Sequence, residues 1–182
     1  IEGHAVRAMY LYSGVTDLVA ETSDDELREA LDRIWKNMTT KRMYITGGIG
    51  SAHEHEGFNE DYDLPNETAY AETCAAIGSI FWNQRLFELT ADPKYANLIE
   101  RTLYNGFLAG VSMDGTEFFY INPLESEGDH HRKGWFTCAC CPPNAARLFA
   151  ALGQYLYSTI DDELYVNQYV GSTLETTVDG LD

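Results

Sequence analysis

Apolar residues recur every three to four positions over most of the chain, and residues that start or stop helices set these stretches apart. Val6, Met9 and Tyr10 begin a helical stripe between His4 and Ala20, which Gly14 interrupts, predicting a break there. Ser23 and Glu26 have the spacing of a capping box, and Leu27, Leu31, Ile34 and Met38 follow at helical intervals. A short β-like run around Tyr44 ends in glycines. Residues 47–66 show no period and carry His53, Glu54, His55, Glu56, Asp61 and Asp63, as a polar loop would. A third helix is predicted from Cys74 to Leu89, with Thr73 as N-cap and Ile77, Ile80, Phe81 and Phe87 turned inward. Asp92 and Pro93 have N-cap and N1 chemistry for a fourth, whose inner face carries Tyr95, Leu98, Ile99, Thr102 and Leu103. Residues 115–124 read as a strand or extended run ended by Pro123, and 125–135 as a loop. Pro143 at N1 opens a last helix reaching Tyr157, with Leu148, Phe149 and Leu152 buried, and residues 162–172 alternate like a strand.

Helix pairs with chemically rich loops at one end predict a mainly α fold, part of an α/α toroid with short β segments. An irregular helical bundle is the plainer alternative. No repeat of fixed period and no low-complexity linker divides the chain. Hydrophobic residues at 45% and charged residues at 23% suit a globular domain. No window is apolar enough for a membrane span, so no membrane partner is expected. A net charge of −17 repels a polyanion, which argues against nucleic acid and leaves a neutral or cationic small ligand. The sequence opens on a helix-like pattern without an initiator Met or a signal-peptide pattern. It is therefore read as a piece of a longer protein, with a cytoplasmic location favoured.

The chain has only 4 cysteines, and three of them, Cys138, Cys140 and Cys141, fall within one short segment ahead of two prolines. The fourth, Cys74, lies two residues after Glu72. Two disulfides would strain any bond within the Cys-x-Cys-Cys segment. Buried inert thiols are common, but clustering before a Pro-Pro turn is unusual for them. The third reading is a metal site. Glu72, Cys74 and two of the three later cysteines would give a carboxylate and three thiolates, a donor set suited to Zn²⁺. Glu72 and Cys74 share a metal only if the chain is extended there or a helix begins there. In that arrangement helix N-termini point positive dipoles at the thiolates.

Four segments taken together resemble glycoside hydrolase family 127: ITGGIGSAHEHEGF, DLPNETAYAETCAAIGS, ERTLYNGFLAG and CACCPPNAARLFA. The resemblance implies an (α/α)6 catalytic barrel followed by β-sandwich domains. Residues 1–160 would be the later part of that barrel and 161–182 the first strand or strands of the next domain. It implies zinc held by Glu72, Cys74, Cys140 and Cys141, with Cys140 as nucleophile and Glu56 as general acid/base. His4 and Tyr120 match sugar-binding positions, and Cys138 a pocket residue that is not a zinc ligand. The activity implied is release of L-arabinofuranose from a carbohydrate substrate with retention. A chain that is only part of a barrel is expected to be inactive alone and to associate with copies of itself through its exposed faces.

Several residues carry weaker readings. Glu54 rivals Glu56 in the same loop. His53 and His55 form a His-x-His pair that reads more readily as loop than as ligand. Glu100 could support the site from an amphipathic helix. Tyr12, Trp35 and Trp82 read as core, and His130 and His131 as exposed loop. Two other functions compete with catalysis by a zinc-held thiolate: a helical module with a purely structural zinc, and a thiol redox protein using Cys138 and Cys140. A different glycosidase specificity within the same family is a third alternative.

Overall fold

The computed structural model describes residues 1–160 and 162–177. Five α-helices dominate: α1 (Ala5–Thr22), α2 (Asp25–Lys41), α3 (Thr73–Thr90), α4 (Pro93–Arg101) and α5 (Cys141–Ala151). A π-helical turn (Thr102–Phe107) and a 3-10 turn (Leu108–Gly110) extend α4, and a second 3-10 turn (Leu152–Tyr155) extends α5. Two short antiparallel strands follow, β1 (Tyr157–Ile160) and β2 (Glu163–Val166), in a register that sets Tyr157 opposite Val166. This is the mainly helical architecture with a little C-terminal sheet that the sequence implied. Of the segment 161–182 assigned to a following domain, Asp161 and residues 178–182 lie outside the described residues.

α3 is the centre of the packing. It is apolar or small nearly all round, so it can be buried on every side. On one side Trp82 and Leu86 meet Met9 and Val19 of α1 and Leu31 and Met38 of α2. On the other, Ile77, Ile80 and Phe81 meet Ile99 of α4, Leu103 and Phe107 of the π turn, and Leu148 of α5. Gly78 lets α1 approach, since a Cβ there would sit 2.9 Å from Met9 Cβ. The Trp82 indole donates to Thr16 Oγ1 at 3.0 Å, which satisfies the polar edge of a fully buried ring.

Several local expectations are corrected. Gly14 does not break α1, because its position is open and a lone glycine costs only about 1 kcal/mol. Ser23 is not the cap of α2. It ends α1 in the left-handed conformation with φ 55°, and its N–H returns to Val19, so Asp24 caps α2 by accepting from Leu27. Glu72 rather than Thr73 precedes α3. α5 starts at Cys141, two residues before Pro143, and Phe149 on it is exposed. Residues 115–124 form no strand. Phe118 makes isolated bridges to Val111 and Lys133, and the following residues bond to the segment ahead of α3. Tyr157 belongs to β1, and the predicted strand at 162–172 shortens to β2.

Candidate metal centre and active site

Three segments distant in sequence meet at one place. The first is the loop carrying Glu56. Gly57 is bridged to Ala52 on one side and to His4 on the other. Phe58 N donates to Gly3 O, and Ala5 N donates to the Glu56 carbonyl, so the loop caps the first turn of α1 from outside. A Cβ on Gly57 would lie 2.0 Å from the Gly3 carbonyl oxygen. Gly57→Ala should therefore cost about 3 kcal/mol, seen as a fall in the urea midpoint. Glu56 itself takes a left-handed backbone, φ 52°, which turns its carboxylate onto His4: Nε2 to Oε2 is 3.0 Å. Glu54 and His53 stay exposed.

The second segment is 70–74. Ala71 is also left-handed at φ 40°, its N–H donating to Gly50 O at 2.7 Å. Glu72 is extended (φ −59°, ψ 137°) and Cys74 lies in the first turn of α3, so the pair straddles the change from extended to helical chain. That is the condition for both side chains to face one point. Asn122 braces this segment by donating to Ala71 O at 2.8 Å and Thr73 Oγ1 at 3.0 Å, and Thr73 N donates to Tyr120 O at 2.9 Å. The third segment is the start of α5, with Cys140 as N-cap and Cys141 as first helical residue. α3 and α5 thus both open at the cluster, where helix N-termini favour anions.

All four cysteines are free. Cys74 Sγ and Cys141 Sγ are 3.6 Å apart, and Cys140 Sγ and Cys141 Sγ 3.8 Å. Disulfide sulfurs are about 2.0 Å apart, so these are not bonded. Sulfurs on a tetrahedral zinc, with bonds of about 2.3 Å, are about 3.8 Å apart. Cys140 Sγ lies 3.3 Å from Glu72 Oε1, and ligand atoms of Glu72, Cys74, Cys140 and Cys141 fall within 4.8 Å of one another. Glu72 Oε2 is buried without a hydrogen-bond partner. The donor set and spacing fit a divalent cation.

The electrostatics point the same way. Burial pushes the Glu72 carboxyl up to about 8, helped by the neighbouring Cys140. Hydrogen bonds from Cys141 and Cys74, then Tyr120 and Glu72, hold the Cys140 thiol far below its usual range. The same contacts with Cys140 raise Cys74 and Cys141. Within the cluster Cys140 is thus the group drawn toward its anion, while Glu72, Cys74 and Cys141 are drawn toward their protonated forms. A divalent cation would allow all four to ionise. Burial also lifts the Tyr120 hydroxyl, which stays protonated 3.3 Å from Cys140 Sγ.

A second group overlaps the first: His4, Glu56 and Glu72 offer atoms within 4.8 Å of one another. Glu72 therefore touches both sets. Cys74 and Cys141 are sealed at 0% exposure, and Cys140 is half-buried. Among the residues singled out from the sequence, Glu56, Glu72, Cys74, Cys140, Cys141, His4 and Tyr120 converge. Cys138 is exposed and outside the cluster, and Glu100 is exposed on α4. His55 bonds the Phe58 carbonyl and His53 packs on Tyr70, so the two rings of the His-x-His pair have separate partners. His130 is half-buried, stacked on Phe119 and bonded to Ile121 O, while His131 is exposed as expected.

Sequence reasoning missed Tyr70. Its hydroxyl is lifted by burial and by a hydrogen bond with Glu56, and it also meets the Tyr120 hydroxyl. No local signal marked it, because the left-handed Ala71 between Tyr70 and Glu72 breaks the alternation of an extended chain.

A family model described as the catalytic domain of β-L-arabinofuranosidase, GH127, matches residues 1–154. The chain belongs to glycoside hydrolase family 127. This GH127 chain is 42% identical to the non-reducing end β-L-arabinofuranosidase of Bifidobacterium longum subsp. longum, over 96% of its own length and 28% of the relative's. It is also similar to the crystal structure of a GH127 β-L-arabinofuranosidase from Geobacillus stearothermophilus T6, with 49% identity and a TM-score of 0.92, covering 98% of this chain and 30% of that one. Another solved GH127 β-arabinofuranosidase gives 54% identity and a TM-score of 0.90 over 92% of this chain and 26% of that chain. The GH127 chain thus spans less than a third of the length of these relatives. No helix among its described residues is long and apolar enough to cross a membrane.

Proposed function

We propose that this chain carries the catalytic centre of a retaining glycoside hydrolase that releases L-arabinofuranose from the non-reducing end of a carbohydrate, with Cys140 as nucleophile and Glu56 as general acid/base. One observation carries the reading. Cys140 is the half-open sulfur of a cluster otherwise sealed in the core, and it shares Glu72 as a neighbour with Glu56. A site built only to staple two helices would have no reason to face a carboxylate pair. Retaining enzymes need a nucleophile and an acid/base about 5 Å apart.

Zinc, held by Glu72, Cys74, Cys140 and Cys141, would supply the positive charge that keeps the thiols ionised and makes sulfur a better leaving group. The residues do the rest. The Cys140 sulfur attacks the anomeric carbon, and a C–S bond forms as the glycosidic C–O bond breaks. Glu56 gives its proton to the departing oxygen. Glu56 then takes a proton from water as that water's oxygen attacks the same carbon, and the C–S bond breaks with its electron pair returning to sulfur. His4, bonded to Glu56 Oε2, orients the acid and stands beside the sugar. The Tyr120 hydroxyl lies 3.3 Å from Cys140 Sγ; an ionised sulfur can only accept, so Tyr120 would donate to it and steady it between turnovers.

The full-length protein should contain about one zinc per chain and hydrolyse an aryl β-L-arabinofuranoside. Stripping zinc with a chelator should abolish hydrolysis, and added zinc should restore it. Turnover that survives complete chelation, or a zinc-loaded protein that hydrolyses no aryl furanoside, would overturn the proposal.

A further inference from the structure

The three sulfurs of the centre differ in what supports them. Cys140 contacts Tyr120 and Glu72, and Cys141, at the first turn of α5, contacts the sulfurs of Cys74 and Cys140. Cys74 receives an amide: Asn144 Nδ2 donates to its sulfur at 2.9 Å. The direction of that bond is fixed from the other end. The Tyr10 hydroxyl donates to Asn144 Oδ1 at 3.1 Å. Arg147 Nη2 donates both to the Tyr10 hydroxyl and to the same Oδ1. A guanidinium only donates, so the amide oxygen faces Arg147 and the NH₂ faces the sulfur. Arg147 is itself held over the rings of Phe81 and Tyr10, at 5.2 and 5.3 Å. Cys141, Asn144 and Arg147 recur at every third position of α5, so a ligand and the support of its neighbour share one helix face.

We propose that Asn144 is a positioning residue of the metal centre. Oriented by Arg147 and Tyr10, its amide keeps the Cys74 sulfur an acceptor that never leaves the centre, while Cys140 remains the sulfur that reacts. This rests on the zinc reading above. The reacting sulfur must change partners in every turnover, and the centre survives that only if its other ligands are held independently. A fixed N–H donor beside a metal-bound sulfur supplies such a hold without lending it reactivity.

The test is made on the full-length protein with Asn144→Leu, which keeps the shape and removes the donor, and with Arg147→Met, which removes the group that fixes the amide's direction. Zinc affinity is measured by competition with a chromophoric chelator, and melting is followed in excess chelator. Cobalt-loaded protein gives the sulfur-to-metal charge-transfer band. Zinc affinity should fall about 10-fold or more in Asn144→Leu and by less in Arg147→Met. The cobalt band should move to longer wavelength as sulfur loses its hydrogen bond, and metal-free melting should stay at the wild-type value. Unchanged affinity with an unmoved band would overturn the proposal and leave the zinc reading standing. So would an affinity loss matched by a lower metal-free melting temperature. A wild-type protein that takes up no zinc would overturn both.

Discussion

Cys140→Ser should lower kcat/KM on an aryl β-L-arabinofuranoside by about 10⁴-fold or more, which is at least ~5 kcal/mol of transition-state stabilisation. The substitution changes one atom in a half-buried side chain, so the fold should persist. What disappears is the half-buried sulfur that stands beside Glu72, Cys141 and the Tyr120 hydroxyl, where the proposed zinc would hold it ionised. A serine hydroxyl in the same place holds its proton and presents a far poorer nucleophile. Steady-state kinetics with zinc content measured in the same samples is the check. A Ser variant that keeps zinc and turns over within 10-fold of wild type would remove Cys140 from the chemistry.

Glu56→Gln should cost about 10²–10⁴-fold, the usual range for losing a positioned proton donor. The loss should be largest for poor leaving groups, since an activated aryl leaving group departs without a proton. It should be recovered in part by a small external nucleophile such as azide, which needs no general base in the second step. His4 and the Glu56 backbone contacts remain in this variant, so melting should hold near the wild-type value. Equal losses for all leaving groups, with no rescue, would point instead to collapse of the His4–Glu56 pair.

Much of the centre was legible in the sequence because its chemistry is rare there. Three thiols in one short segment and a fourth beside a glutamate admit few uses, and the family motifs single out the same residues. The choice between Glu54 and Glu56 was not legible locally. It depends on the left-handed turn at Glu56, which long-range bonds to Gly3 and Ala5 impose. The helices were legible from spacing, but their ends were not. Ser23 has the right partner at Glu26 for a capping box, yet an N-cap needs an extended backbone, and α1 had already used Ser23 as its left-handed stop. The sequence of residues 115–124 allows a strand or an extended run. Their carbonyls and amides instead serve the start of α3, an arrangement visible only once the two segments are side by side. Asn144 went unremarked because nothing local marks an asparagine in a helix as a donor to sulfur. Its partner comes from α3, and its orientation from Tyr10 of α1 together with Arg147 on its own helix.

Glu56 and Ala71 hold left-handed backbones without being glycine, each at a cost of order 1 kcal/mol or more. A screen for heat-resistant variants would be drawn to these two places, because glycine relaxes such strain at once. At 56 it would delete the proposed proton donor, and at 71 it would loosen the turn that aims Glu72 at the sulfurs. Resistance to heat and turnover are thus set against each other at the same two residues, and hardier variants are better sought in the packing around Trp82.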